Sequence, residues 1–147
     1  AFWRDAVRQN PGHYRANLNL GLVCQSEGDY QKAYEYVKKA SEGWDAPNVF
    51  YSLGFIADRL GKTDEAAAAY ENCLSHGGER NPDVYNNLAI AYSRKGDAKK
   101  AELNFRKAIE VDPKYVPAYF NLAGYYRDRG NAALAAEYER KGAELRK

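Results

Sequence analysis

Residues 85–109, YNNLAIAYSRKGDAKKAELNFRKAI, decide the fold. Before Gly96, Leu88, Ala91 and Tyr92 recur at the three- and four-residue steps of one helical face. After it, Ala101, Phe105 and Ala108 do the same. A glycine between two such runs marks a helix end that needs a left-handed backbone angle, and Asp97 follows where the next helix begins. The stretch therefore predicts two short helices joined by a tight turn.

The same layout recurs at residues 17–40, 50–74 and 119–143. Each copy opens on a leucine and a small residue: Leu20-Gly21, Leu53-Gly54, Leu88-Ala89 and Leu122-Ala123. Seven positions after the small residue stand Gly28, Gly61, Gly96 and Gly130, spaced by 33, 35 and 34 residues. Five further on come Ala33, Ala66, Ala101 and Ala135. Large residues follow at Val37, Tyr70 and Phe105, and Pro11, Pro47, Pro82 and Pro113 mark the repeat ends. Small residues on both helices let a pair approach closely, and Tyr70 and Phe105 are expected to fill the gap towards the next repeat. The second copy runs long at LSHGGERNP, so its turn is expected to be a looser loop.

Composition fits this reading. The chain has 147 residues, 45% hydrophobic and 29% charged, which excludes a disordered or membrane-embedded chain. A net charge of +2 is too small to suggest nucleic acid or anionic membrane as the main partner. No apolar run approaches the roughly 20 residues that span a bilayer. Methionine is absent, so the chain is expected to be a piece or a matured form of a larger protein. Cys24 and Cys73 have no CxxC or Cys/His metal spacing and are expected to be small buried hydrophobes. The compartment stays open.

These residues resemble the tetratricopeptide repeat family, which pairs two helices in about 34 residues. The third copy matches best, through Tyr85, Leu88, Ala89, Tyr92, Gly96, Ala101, Phe105, Ala108 and Pro113. The resemblance implies an all-α, right-handed α-solenoid. Residues 1–11 are expected to be the second helix of a partial repeat. Residues 14–46, 47–81, 82–115 and 116–147 form four repeats. In the last, Glu139 replaces the large residue and the tail EYERKGAELRK is charged, as in a capping helix with a solvated outer face.

The resemblance further implies a protein-protein interaction module whose first helices line a concave side. That side takes an extended peptide or a helix, with neither cofactor nor metal. The lining is then Arg15, Leu18, Asn19, Leu22 and Gln25 from the first repeat, and Asn48, Tyr51, Ser52, Phe55, Asp58 and Arg59 from the second. Asp83, Asn86, Asn87, Ile90, Ser93 and Arg94 come from the third, and Phe120, Asn121, Gly124, Arg127 and Asp128 from the fourth. Asn19, Ser52, Asn87 and Asn121 share one register. They are similar to the asparagine ladder in the repeat region of O-linked N-acetylglucosamine transferases, where amides pair with a peptide backbone. The alternative is that each bonds its own helix or a neighbouring one. The two-lysine clamp of the Hsp90-tail-binding branch is missing, because Leu18 and Leu22 occupy matching positions.

No enzyme is expected. His13 and His76 lie in turns away from either cysteine, and no GxxxxGK[ST] or HExxH motif occurs. Two other roles remain. One is end-to-end self-association through Phe2 and Trp3 at the open first helix. The other is a substrate-presenting appendage, because FWRDAVRQNPGHYRANLNLG is similar to the first repeats of membrane-bound glycosyltransferase-like proteins.

Overall fold

The computed structural model describes residues 2–147, and all regular structure among them is helical. In order these are α1 (Phe2–Gln9), α2 (Tyr14–Ser26), α3 (Tyr30–Ser41), α4 (Pro47–Arg59), α5 (Thr63–Cys73), a π-turn (Leu74–Gly78), α6 (Pro82–Arg94), α7 (Ala98–Val111), α8 (Val116–Asp128) and α9 (Ala132–Glu144). The chain divides into two compact units, residues 1–78 and 79–147.

In the first unit α2 pairs with α3 and α4 with α5, and α3 packs on α4. Val37, Val49, Ile56 and Tyr70 are fully buried between them. The close approach of α4 and α5 depends on Gly54: a Cβ there would lie 2.7 Å from the Tyr70 ring. Tyr70 thus fills the hollow over the glycine of its own pair, a role the sequence pattern had directed outward. Tyr34 of α3 donates its hydroxyl to Glu65 of α5, tying one pair to the next. Helix α1 buries no residue and packs on α2. Phe2 is 72% exposed, whereas Trp3 is half-buried, so the open end is less apolar than expected.

Asn17 is fully buried and pins the start of α2. Its Nδ2 donates to the carbonyls of Pro11 (2.9 Å) and His13 (3.1 Å), while its Oδ1 has no partner. Of the two cysteines, Cys73 is buried but Cys24 is only half-buried. Cys24 sits in a crevice with Arg4, Lys32 and Tyr36, so it is not the core hydrophobe expected. Partial burial, then the nearby Asp29 and Glu27 carboxylates, push its thiol pKa up. The extra length of the second repeat is a π-turn rather than a loose loop. His76 donates Nδ1–H to the Asn72 carbonyl at 2.7 Å, Gly77 takes φ 103°, and Gly78 is buried against Cys73.

In the second unit α6 pairs with α7 and α8 with α9, and α7 and α6 both meet α8. The α6–α7 turn shows why the glycine is needed. Gly96 has φ 79°, and beyond it Asp97 N–H reaches back to the Tyr92 carbonyl at 2.9 Å, capping the end of α6. Asp97 then accepts from the Lys100 N–H at 3.2 Å and caps the start of α7. Phe105 meets Tyr125 of the following pair with ring centroids 6.2 Å apart, as expected. Tyr126 Oη donates to Glu102 at 2.6 Å and accepts from Arg106 at 2.8 Å, joining α7 to α8. Burial, then the bond to Glu102, push the Tyr126 pKa up to about 12. The same bond, before that to Arg106, holds the Glu102 carboxyl below its ordinary range. On α9, Glu137–Lys141 and Arg140–Glu144 pair along the surface, and Tyr138 stacks on Tyr126 at 5.7 Å.

Candidate functional site

The first helices of the pairs carry the expected lining, and each unit opens one cavity there. In the first unit a cavity of about 350 Å³ is bounded by Leu22 and Gln25 of α2 and by Tyr51, Ser52 and Phe55 of α4. Leu22 is 40% exposed and the α4 residues are half-buried. Leu18, one turn earlier, points inward and is buried, so it does not line this face. In the second unit a cavity of about 240 Å³ is bounded by nine residues, from Ile90, Ser93 and Arg94 of α6, Phe105 of α7, and Phe120, Asn121, Gly124, Tyr125 and Asp128 of α8.

The two cavities stand on the same register. Counted from the repeat leucine, Leu22 corresponds to Ile90, Gln25 to Ser93, Tyr51 to Phe120, Ser52 to Asn121 and Phe55 to Gly124. All ten of these residues line their respective cavity. Folding thus builds the same recess twice from a repeated pattern.

The amides behave less uniformly than a ladder requires. Asn19 donates Nδ2 to the Arg15 carbonyl at 2.8 Å, and Ser52 donates to the Asn48 carbonyl at 2.9 Å, each within its own helix. Asn121 donates Nδ2 to Asn86 Oδ1 at 2.9 Å. Asn86, expected on the lining, is 4% exposed and instead holds Asn121 from below. Asn87 is half-buried, and among the described residues its amide makes no hydrogen bond. The remaining site residues divide in the same way. Arg94 is exposed and lines the second cavity. Arg127 is taken up by an ion pair with Glu139 of α9. Phe120 is half-buried beneath the Arg146 guanidinium, 4.4 Å from its ring centre.

The lining residues that sequence reasoning missed are Phe105 and Tyr125. Gly124 stands on the expected lining, though its position in the sequence alone gave it no separate role. A Cβ built there meets nothing within 4 Å, in contrast to Gly21, Gly54 and Gly142, which face crowded neighbours. The signal was present in the register Leu22, Phe55, Ile90, Gly124, where one bulky position has become empty.

Comparison with known proteins agrees with this architecture. Models of the tetratricopeptide repeat match residues 1–47, 47–75, 82–115 and 104–137. The chain belongs to the tetratricopeptide repeat family. It is an all-α solenoid of the kind that serves as a protein-protein interaction module. It is 28% identical over 139 residues to Protein O-mannosyl-transferase TMTC3 of Homo sapiens, covering 92% of the chain and 15% of that protein. It is 24% identical to Tetratricopeptide repeat protein 6 of Homo sapiens, covering 95% of the chain and 27% of that protein. The chain thus spans less than a third of either relative. Among solved structures, MamA superposes with a TM-score of 0.92 at 22% identity, over 98% of this chain and 84% of that one. YrrB, described as a TPR protein with an unusual peptide-binding site, superposes with a TM-score of 0.90 at 21% identity, over 98% and 74%.

Proposed function

We propose that this repeat array binds an extended peptide along its first helices, each unit receiving one ligand side chain in its cavity. The observation that carries the reading is the pair of register-matched recesses, Leu22–Gln25–Tyr51–Ser52–Phe55 and Ile90–Ser93–Phe120–Asn121–Gly124. On α6 of the second unit, Asn87 offers an uncommitted amide to a peptide backbone of any sequence. Each such bond contributes about 0.5–1.5 kcal/mol net, so the affinity must come mainly from the side chains entering the recesses. YrrB, a tetratricopeptide protein described by its peptide-binding site, is a precedent on the same fold. The chain is a binding module rather than an enzyme in this reading.

Selection from a peptide library followed by titration tests it. Leu22→Asp, at an exposed wall of the first recess, is expected to weaken selected peptides at least about tenfold, the equivalent of 1.4 kcal/mol. Asn87→Ala is expected to weaken them less. Selected peptides that bind both folded variants as tightly as the parent would move binding off this face.

The likeness to Protein O-mannosyl-transferase TMTC3 over 92% of the chain favours one further reading, in which the array presents protein substrates to a membrane-bound transferase within a longer polypeptide. Among the described residues no helix is long and apolar enough to cross a membrane, so the membrane-bound part would lie elsewhere in that polypeptide. The sequence of the full polypeptide decides it: an open reading frame without such segments ends this reading.

A further inference from the structure

At two register positions of the second recess α8 departs in character from the first helices of the other repeats, and both positions sit on one face of it. Where the other repeats carry Leu22, Phe55 and Ile90, α8 carries Gly124. Where they carry Ser26, Arg59 and Arg94, it carries Asp128. Positions 124 and 128 lie one helical turn apart and both line the second cavity. Bulk has been removed and a negative charge added at the same place. Packing does not call for this glycine, since a Cβ would meet nothing within 4 Å, and glycine weakens a helix interior relative to alanine.

We propose that the second recess is a pocket for an arginine side chain, held open by Gly124 and charged by Asp128. The proposal rests on the peptide-binding reading above and names what one of its recesses accepts. Besides the Arg94 guanidinium, the polar side chains of the recess offer acceptors. Asn121 gives one Nδ2–H to Asn86, and its carbonyl oxygen accepts no hydrogen bond among the described residues. Ser93 Oγ and the Asp128 carboxylate add further acceptor sites, and among the described residues Asp128 has no ion-pair or hydrogen-bond partner. Of the nearby cations, Arg94 is engaged in interactions of its own and Arg127 is tied to Glu139. The walls are Ile90, Phe105 and Phe120, which suit an aliphatic stem and the flat face of a guanidinium. A leucine would fill the walls and strand the acceptors without donors. A glutamate would meet Asp128. The first recess has no acidic residue in its lining, so the preference belongs to the second alone.

The test uses the whole chain labelled with ¹⁵N and three small probes: N-acetyl-arginine-methylamide and the corresponding leucine and glutamate derivatives. Arginine is expected to shift the amide resonances of Asn121, Gly124 and Asp128 saturably, with the other two probes at least about fivefold weaker. Asp128→Asn is expected to weaken arginine about tenfold, as for loss of a charge-assisted hydrogen bond. Gly124→Leu is expected to abolish the shifts. Gly124→Ala serves as the folding control, because it is expected to raise Tm while reducing arginine binding. Leucine binding more tightly than arginine, or arginine shifts that survive Gly124→Leu, would overturn the proposal. Library peptides that bind normally to Gly124→Leu would also overturn it while leaving peptide binding intact. Arginine shifts without any peptide binder would sustain the pocket and remove the broader reading.

Discussion

The first and second units build corresponding recesses from corresponding positions, yet their glycines work in opposite ways. In the first unit Gly54 is forced by contact, because α5 brings Tyr70 to within 2.7 Å of where its Cβ would stand. In the second unit the equivalent small residue is Ala89, fully buried, while the added glycine, Gly124, faces space. One glycine is explained by what touches it and the other by what does not. A repeat therefore separates two kinds of small residue that composition alone would merge: those that let helices meet and those that leave a recess open.

The sharpest way to break this contrast is to add a methyl group to each. Gly54→Ala forces the Tyr70 ring to move and is expected to destabilise by about 1–3 kcal/mol, as overpacking does. Gly124→Ala is expected to stabilise by up to about 1 kcal/mol through helix propensity. Thermal unfolding followed by circular dichroism reads both, and two shifts of the same sign would end the distinction.

A second measurement concerns the network that holds the second unit. The raised Tyr126 pKa implies stability that is fully present below the ordinary tyrosine pKa of about 10 and is lost as pH rises towards 12. A two-unit shift corresponds to about 2–3 kcal/mol. The lowered Glu102 pKa has the opposite sense: its contribution is present above the ordinary glutamate range and is lost as pH falls through the lowered value. Tyr126→Phe should therefore flatten the Tm profile between pH 10 and 12. An alkaline profile unchanged by the substitution would show that Tyr126 is not the group responsible.

Next comes Asn86→Leu, which removes the support beneath Asn121 and is expected to cost about 1–2 kcal/mol. It should also loosen binding at the second recess while leaving the first untouched. Equal effects at both recesses would argue against a local role. The smallest expected effect is Arg127→Ala. Both partners of its ion pair with Glu139 are about half exposed, so the loss should stay below about 1 kcal/mol in urea titrations.

Legibility followed the range of the interactions. The helix pairs could be read because their signals are local: a leucine and a small residue, a glycine seven positions on, an alanine five after that. The linings of the recesses could be read except for Phe105 and Tyr125, which come from a second helix and from a position one step round α8. The fate of each amide could not. Asn86 and Asn87 are adjacent and chemically identical, and only the rotation of α6 makes one a buried support and leaves the other at the surface. Likewise the bond from Asn121 to Asn86 joins residues 35 positions apart. The loose turn expected after α5 is instead a tight one, because Gly77 takes a left-handed backbone angle and Gly78 packs inward against Cys73.

The buried Asn17 carries one more consequence. In the first repeat its side chain donates to the carbonyl of Pro11, six residues upstream; in the fourth, Tyr119 at the same register donates its hydroxyl to the carbonyl of Pro113 at 2.7 Å, again six upstream. An amide and a phenol do one mechanical job, tethering the incoming loop to the helix it leads into. Column by column, the two repeats would be scored as mismatched at this position. As a linkage they are the same. The first and fourth repeats thus keep a fastening while changing the letter, whereas Phe50, at the same register in the second, has no polar atom with which to make it.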